Sequence, residues 1–273
     1  MGMMRRSMLF VPANDERKIR KVLDIKPDSV IFDLEDSVPV EEKENARNFL
    51  LKILKEMEFK NIEVCVRINS IYTIEGLKDI IALTSLDNVN CIVIPKAEGD
   101  LSFIHKITGK NLMGIIETPK GITKIEEIAR SEGIVAITWG PADLALSIGG
   151  NIEAYESNIF IRTLIPIVAS AYGIDAIDKV YFNVEDIEGF KKECYEAKKL
   201  GYVGKTLIHP NQVNLANEIF KPTKEEIEWA KKIVDIYQEY YKKGKGAIKI
   251  EGKLIDYVHY KLAKKILEKI REE

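Results

Sequence analysis

Short runs of Val, Ile, Leu and Phe recur along the chain. Each ends in polar residues and is followed by a stretch where apolar residues return every three or four positions. Eight such runs stand out: SMLFVPA (7–13), SVIFDLED (29–36), IEVCVRIN (62–69), NCIVIPKA (90–97), LMGIIET (112–118), IVAITWG (134–140), DAIDKVYF (175–182) and GKTLIHP (204–210). Continuous apolar runs mark strands covered on both faces, as in a parallel sheet wrapped by helices. The stretches between them predict helices over 16–24, 41–57, 73–84, 101–107, 122–131, 159–172 and 187–200. Asp186 is placed to cap the last of these, and Gly201 to stop it.

Eight strands alternating with helices predict a (β/α)₈ TIM barrel over residues 1–221. A doubly wound open sheet uses the same alternation, but no G-x-G-x-x-G follows the first strand, which tells against its dinucleotide-binding form. Residues 222–273 predict a C-terminal helical and hairpin extension: a helix over 223–241, a break at Gly244-Lys245-Gly246, a hairpin turning at Glu251-Gly252, and a final helix over 257–272. This extension is long enough to act as a lid.

Composition narrows the partners. Of 273 residues, 46% are hydrophobic and 31% charged, so a substantial core is expected and disorder is not. The formal net charge of -2 argues against nucleic acid or an acidic membrane. Arg5-Arg6 before Met8–Val11 imitates an export leader, but Pro12 and Asn14-Asp15-Glu16 break the run at once. No segment approaches membrane-spanning length, so a cytoplasmic protein is expected. Cys65, Cys91 and Cys194 form no C-x-x-C and read as small core residues in a reducing compartment.

The chemistry collects at the strand ends. The second run closes on Asp33-Leu34-Glu35-Asp36, the third on Arg67 and Asn69, the fourth on Lys96 and Glu98, the fifth on Glu117. Asp143 follows the sixth, and His209 closes the eighth. In a barrel these ends share one face, where barrel enzymes work. Hard carboxylates without neighbouring Cys suit Mg²⁺, or Mn²⁺, better than zinc. Glu117 and Asp143 are the expected metal pair, which gives Glu117 a reason to end a buried strand. Arg67 offers a fork for a substrate carboxylate. Lys96 reads as a counter-ion to Glu35 or Asp36; with so many acids near, an imine-forming role is disfavoured. Lys205 starts its strand, away from the active face. His209 reads as structural, and His105 and His259 as helical and solvated.

The stretches RRSMLFVPA, VIFDLEDSV, VRIN, IVIPKAE, GIIETPKG, ITWGPADL, DAIDKVYFNVED, LGYVGKTLIHPNQV and EGKLIDYVHYKLAKKIL follow one another from about residue 5 to 267. In this order the chain resembles the citrate lyase beta-subunit-like family of the HpcH/HpaI aldolase superfamily, which includes malyl-CoA and citramalyl-CoA lyases. The resemblance implies a Mg²⁺-dependent carbon–carbon lyase acting on a 3-hydroxyacyl-CoA such as malyl-, citramalyl- or citryl-CoA. The products are acetyl-CoA or propionyl-CoA and a 2-oxo acid, with coenzyme A part of the substrate. By matching position, Glu117 and Asp143 carry the metal, Arg67 the oxo-acid carboxylate, and Glu35 and Asp36 the supporting shell. Asp256 is the catalytic aspartate that a neighbouring subunit's lid delivers in a homotrimer or hexamer. Two departures stand out: Ala142 replaces a glutamate beside the second metal ligand, and Ala13 replaces the glycine that often ends the first strand. Three alternatives stay open: a malyl-CoA-type thioesterase, a free-acid pyruvate aldolase, or the beta subunit of a citrate lyase needing an acyl-carrier partner.

Overall fold

The structure is a computed structural model, described for residues 3–242, 246–250 and 252–271. All eight runs form strands: β1 (Ser7–Pro12), β2 (Ser29–Asp33), β3 (Glu63–Arg67), β4 (Cys91–Ile94), β5 (Asn111–Ile116), β6 (Ile134–Trp139), β7 (Asp175–Asp178) and β8 (Gly204–Leu207). Every neighbouring pair is parallel, and β8 pairs back onto β1 through Ser7↔Lys205, so the sheet closes into a barrel. The strands are shorter than the apolar runs. The last residues of each run leave the ladder and become the rim, as at Leu34–Asp36 after β2 and Lys179–Phe182 after β7.

Alternation along the strands divides the core. Met8, Ile31, Cys65, Cys91, Val93, Met113, Ile115, Ala136 and Ile177 form a separate apolar cluster. Their strand neighbours Leu9, Val30, Phe32, Val64, Val66 and Ile92 join the larger cluster that takes in the surrounding helices. Successive strand residues point to opposite faces, so one run fills both layers. The three cysteines are buried and free.

Most helices fall where expected, including Ile159–Tyr172 and Ile187–Leu200; Asp186 accepts from Gly189 N–H, and Gly201 closes the second helix at φ +103°. The span 122–131 instead holds two short helices, Pro119–Thr123 and Ile125–Ala129, because Thr118 caps one turn early at a Pro N1 position. Helices Pro141–Ile148, Ile152–Glu156 and Asn211–Ile219 were not anticipated.

The chain divides into two compact units at 220/221. In the second, helices Lys224–Lys242 and Tyr257–Arg271 pack with the antiparallel strands β9 (Ala247–Ile250) and β10 (Lys253–Asp256) around Ala230, Ile233, Ile255 and Ala263. Gly252 takes φ +83° in the connecting turn. The anticipated break at Gly244-Lys245 and the turn residue Glu251 lie outside the described residues. Among the described residues no helix is long and apolar enough to cross a membrane.

Candidate active site

The carboxyl ends of the strands open onto a cavity of about 780 Å³. Asp33, Asp36, Arg67, Glu117, Ala142 and Asp143 line it, and so do Arg17, Lys18 and Lys21 from helix Glu16–Ile25.

Glu117 follows the last residue of β5 and is buried, at 3% exposure. Its Oε1 accepts from the backbone N–H of Lys96 at 2.7 Å. Lys96 has φ +48°, uncommon for a residue with a side chain. Gly140 leaves room for the carboxylate: a Cβ there would lie 2.5 Å from Glu117 Oε2. Burial, then the charges of Asp143 and Glu35, push the Glu117 carboxyl up to about 8, against the pull of Lys96.

Asp143 lies in the first turn of helix Pro141–Ile148, with its Oδ1 3.4 Å from Lys96 Nζ. The same ammonium donates to Glu35 Oε1 at 2.7 Å. Lys96 thus meets Glu35 and Asp143 through its ammonium and Glu117 through its backbone N–H; Glu35 is one of the two counter-ions that the sequence reading names, and Asp143 stands where Asp36 was the alternative. Burial works against its charge, but the Glu35 hydrogen bond and the charges of Glu35, Glu117 and Asp143 hold its pKa above the usual lysine range.

Arg67 is committed differently from the sequence reading. Its Nε and Nη2 donate to the two carboxylate oxygens of Asp33, each at 2.7 Å. Its Nη1 lies 3.2 Å from Glu35 Oε2 and 3.4 Å from Asp36 Oδ2. Its guanidinium carbon sits 4.8 Å from the centroid of Phe10. The fork expected to be open for a substrate is closed on Asp33, and Nη1 faces the other two acids. Burial opposes ionisation of Asp33, but the hydrogen bond and charge of Arg67 hold its carboxyl below the ordinary range.

Beneath the rim, Lys43 is buried and donates to the carbonyls of Leu34 (2.9 Å) and Glu35. This pins the loop that carries Glu35 and Asp36. Burial, then the neighbouring Asp36 charge, raises the Glu35 carboxyl despite Arg67 and Lys96. Glu35 Oε2 is buried with no hydrogen bond; its contact with Arg67 is an ion pair without hydrogen-bond geometry.

These features fit a hard divalent cation. The donors are carboxylate oxygens, burial and then the charges of Asp143 and Glu35 favour the protonated form of Glu117, and Glu35 keeps an unmet acceptor. Among the described residues no group of three or more His, Cys, Asp or Glu stands ready to cage an ion. A two-carboxylate site suits magnesium, which keeps several waters and takes oxygens from its substrate.

Asp256 belongs to the second unit. Its Oδ1 accepts from the backbone N–H groups of Val258 (3.0 Å) and His259 (3.3 Å) and meets His259 Nδ1 at 2.8 Å. It caps helix Tyr257–Arg271, and His259 is tied to it rather than simply solvated. Lys205 is the second residue of β8, at the start of its strand as expected. It is fully buried, and its Nζ donates to Asp178 Oδ2 (2.8 Å) and Glu193 Oε1 (2.6 Å). His209 lines the cavity. Lys43 is the residue that sequence reasoning does not find, since it reads as one more helix lysine; Asp33 stands with Glu35 and Asp36 at the end of the second run, but its pairing with Arg67 is not expected from the sequence.

Residues 6–210 match the model of the HpcH/HpaI aldolase/citrate lyase family. The chain is 36% identical over 291 residues to citrate lyase subunit beta of Haemophilus influenzae, covering 99% of each. It is 32% identical over 270 residues to a (3S)-malyl-CoA thioesterase of Cereibacter sphaeroides, covering 97% of this chain and 94% of that one. A solved structure of CitE from Mycobacterium tuberculosis in complex with magnesium, acetoacetate and coenzyme A matches at TM-score 0.84. That match has 27% identity and covers 97% of this chain and 98% of that one.

Proposed function

The chain belongs to the HpcH/HpaI aldolase/citrate lyase family, and on that premise we propose that it cleaves or forms a carbon–carbon bond in a 3-hydroxyacyl-CoA. The observation that carries this reading is the division of one cavity. Carboxylates and Arg67 line it together with three basic residues, Arg17, Lys18 and Lys21. An acyl-CoA has matching parts: an acid-bearing acyl group for a metal and a guanidinium, and phosphates for a basic helix face. The CitE complex holds magnesium and coenzyme A together, which supports both assignments.

Glu117 and Asp143 would hold the magnesium. When bound, it supplies Lewis-acid polarisation of the substrate's hydroxyl and carboxylate oxygens. Lys96 keeps the acid cluster from repelling itself apart. Arg67, oriented by Asp33, presents Nη1 toward the oxo-acid carboxylate, and Glu35 and Asp36 support that shell. In the cleavage direction a base takes the hydroxyl proton and the oxo-acid carbonyl forms. The bonding pair passes to the carbon next to the thioester carbonyl, as an enolate, and Asp256 returns a proton to that carbon to complete acetyl-CoA. Residues 222–273 act as a lid, delivering Asp256 to a neighbouring subunit's site in a homotrimer or hexamer.

The thioesterase relative supports a second outcome on the same site, hydrolysis of the thioester. Mass spectrometry of products from malyl-, citramalyl- and citryl-CoA with Mg²⁺ separates the two. Acetyl-CoA plus an oxo acid is expected. Free malate with free CoA would establish the thioesterase. No turnover of any CoA ester by the purified chain would favour a subunit that needs an acyl-carrier partner.

A further inference from the structure

The turn after β8 carries an imidazole without a task so far. His209 lines the cavity alongside the apolar Val180, Phe182, Ile208 and Pro210. Two side-chain amides fix it. Gln212, buried at 1% exposure, accepts through Oε1 from the backbone N–H groups of Ile208 (3.1 Å) and His209 (3.3 Å). Its Nε2 donates to the Tyr181 carbonyl at 3.2 Å, tying the end of β8 to the segment after β7.

Asn211 sets the ring. Its Nδ2 donates to the Val184 carbonyl at 3.3 Å, which leaves Oδ1 facing His209 Nδ1 at 2.6 Å. An amide oxygen only accepts, so this contact calls for a proton on Nδ1, whereas the Asn211 backbone N–H, 3.3 Å away, donates toward the same nitrogen. The Nδ1–H tautomer is assigned on the shorter of the two contacts. In the neutral ring Nε2 is then a lone-pair acceptor. Among the described residues no donor meets it.

We propose that His209 Nε2 accepts a hydrogen bond from an amide N–H of the pantetheine arm of a CoA thioester, an assignment that rests on the CoA reading of the cavity. Phosphates and carboxylates demand donors, which Arg17, Lys18, Lys21 and Arg67 supply. The arm between them presents amide N–H groups to an apolar wall. An amide buried there without an acceptor would lose its hydrogen bond to water and gain nothing in return. A neutral acceptor on that wall is the complement.

The test compares His209→Phe, which removes the acceptor, with His209→Gln, which keeps one. Folding is checked by thermal melting, and acetyl-CoA affinity is measured by calorimetry on the full-length protein. The Phe variant is expected to bind about five- to tenfold more weakly, the scale of one hydrogen bond, with Gln near wild type. In histidine-labelled protein the ¹⁵N shifts should show His209 as the Nδ1–H tautomer, with Nε2 perturbed by pantetheine and unmoved by adenosine 3′,5′-bisphosphate. Equal affinity in all three proteins, equal losses in both variants, an Nε2–H tautomer, or a response to the bisphosphate alone would overturn the assignment and leave the CoA reading standing. A wild-type protein that binds no acetyl-CoA would overturn both.

Discussion

Arg67 lays two of its nitrogens on the two carboxylate oxygens of Asp33, each contact 2.7 Å long. A paired fork of this kind orients a guanidinium more than it binds a ligand. Asp33 is therefore a positioning residue for whatever Nη1 meets. Asp33→Asn should weaken oxo-acid binding more than CoA binding. It should also cost about 1–3 kcal/mol of stability, as expected when a charge-assisted pair is lost. Urea unfolding and oxo-acid titration check both. An unmoved urea midpoint with unmoved oxo-acid affinity would end the positioning role.

Glu117 pays for its placement in stability. Its carboxyl is pushed up from the ordinary 4.5 to about 8, first by burial. The folded state holds the proton more tightly, so the stability linked to this group is fully present below about 4.5. It drains as pH rises and is gone above about 8. Glu117→Gln keeps an acceptor for the Lys96 N–H and removes the charge. Without divalent ions the variant should be more stable than wild type at pH 8, by a few kcal/mol at most, and equal to it near pH 4. Magnesium should stabilise the wild type alone, and its affinity should tighten from pH 6 to pH 8 as the competing proton leaves. Thermal melts with and without MgCl₂ across this range test the pair. A flat difference between the proteins, or equal magnesium response, would count against Glu117 as a ligand.

Lys96 sits against Glu35, Glu117 and Asp143, and its raised pKa keeps it an ammonium at neutral pH. An ammonium does not attack a carbonyl. Borohydride added with pyruvate should therefore trap no adduct on the protein, as read by intact mass. Lys96→Met should leave the acid cluster uncompensated, lowering turnover at least tenfold, a loss of about 1.4 kcal/mol or more. A borohydride-stable adduct mapping to Lys96 would replace the metal chemistry with imine chemistry.

The helix cap at Asp256 and its proposed proton transfer can be separated. It caps helix Tyr257–Arg271 through the Val258 and His259 N–H groups. Asparagine caps about as well as aspartate. Asp256→Asn should thus keep the melting temperature while lowering turnover by about 10²–10⁴, the usual range for a lost proton-transfer group. Oxo-acid affinity should not change. Full activity in a folded Asp256→Asn protein would leave this residue with only its cap.

Much of the site could be seen in the sequence because each barrel run ends where its apolar residues stop. Glu117, Arg67 and Lys96 announce themselves as charges attached to buried strands. The missing pieces had no such signal. Asp33 is the fifth residue of β2, inside the run, and reads as part of the same acidic string as Glu35 and Asp36. Only its contact with Arg67, 34 residues away, sets it apart. Lys43 begins a helix among other lysines and glutamates, and its burial under the loop depends on how that helix packs. Helix Pro141–Ile148 is hidden because PADLALSI is short and its exposed Leu146, two residues after Leu144, departs from the i, i+3, i+4 spacing.

The sequence alone determined the barrel, since the spacing of apolar runs dictates which segments can be buried on both faces. It also determined that acids and bases gather at one rim, since strand direction is shared in a parallel sheet. The tertiary structure decided which of those charges pair. Pairing depends on distances of a few ångströms between residues far apart in the chain, and on how burial sets one carboxyl against another. That is why Arg67 faces Asp33, why Lys96 sits among three acids, and why Glu117 holds a proton near neutral pH.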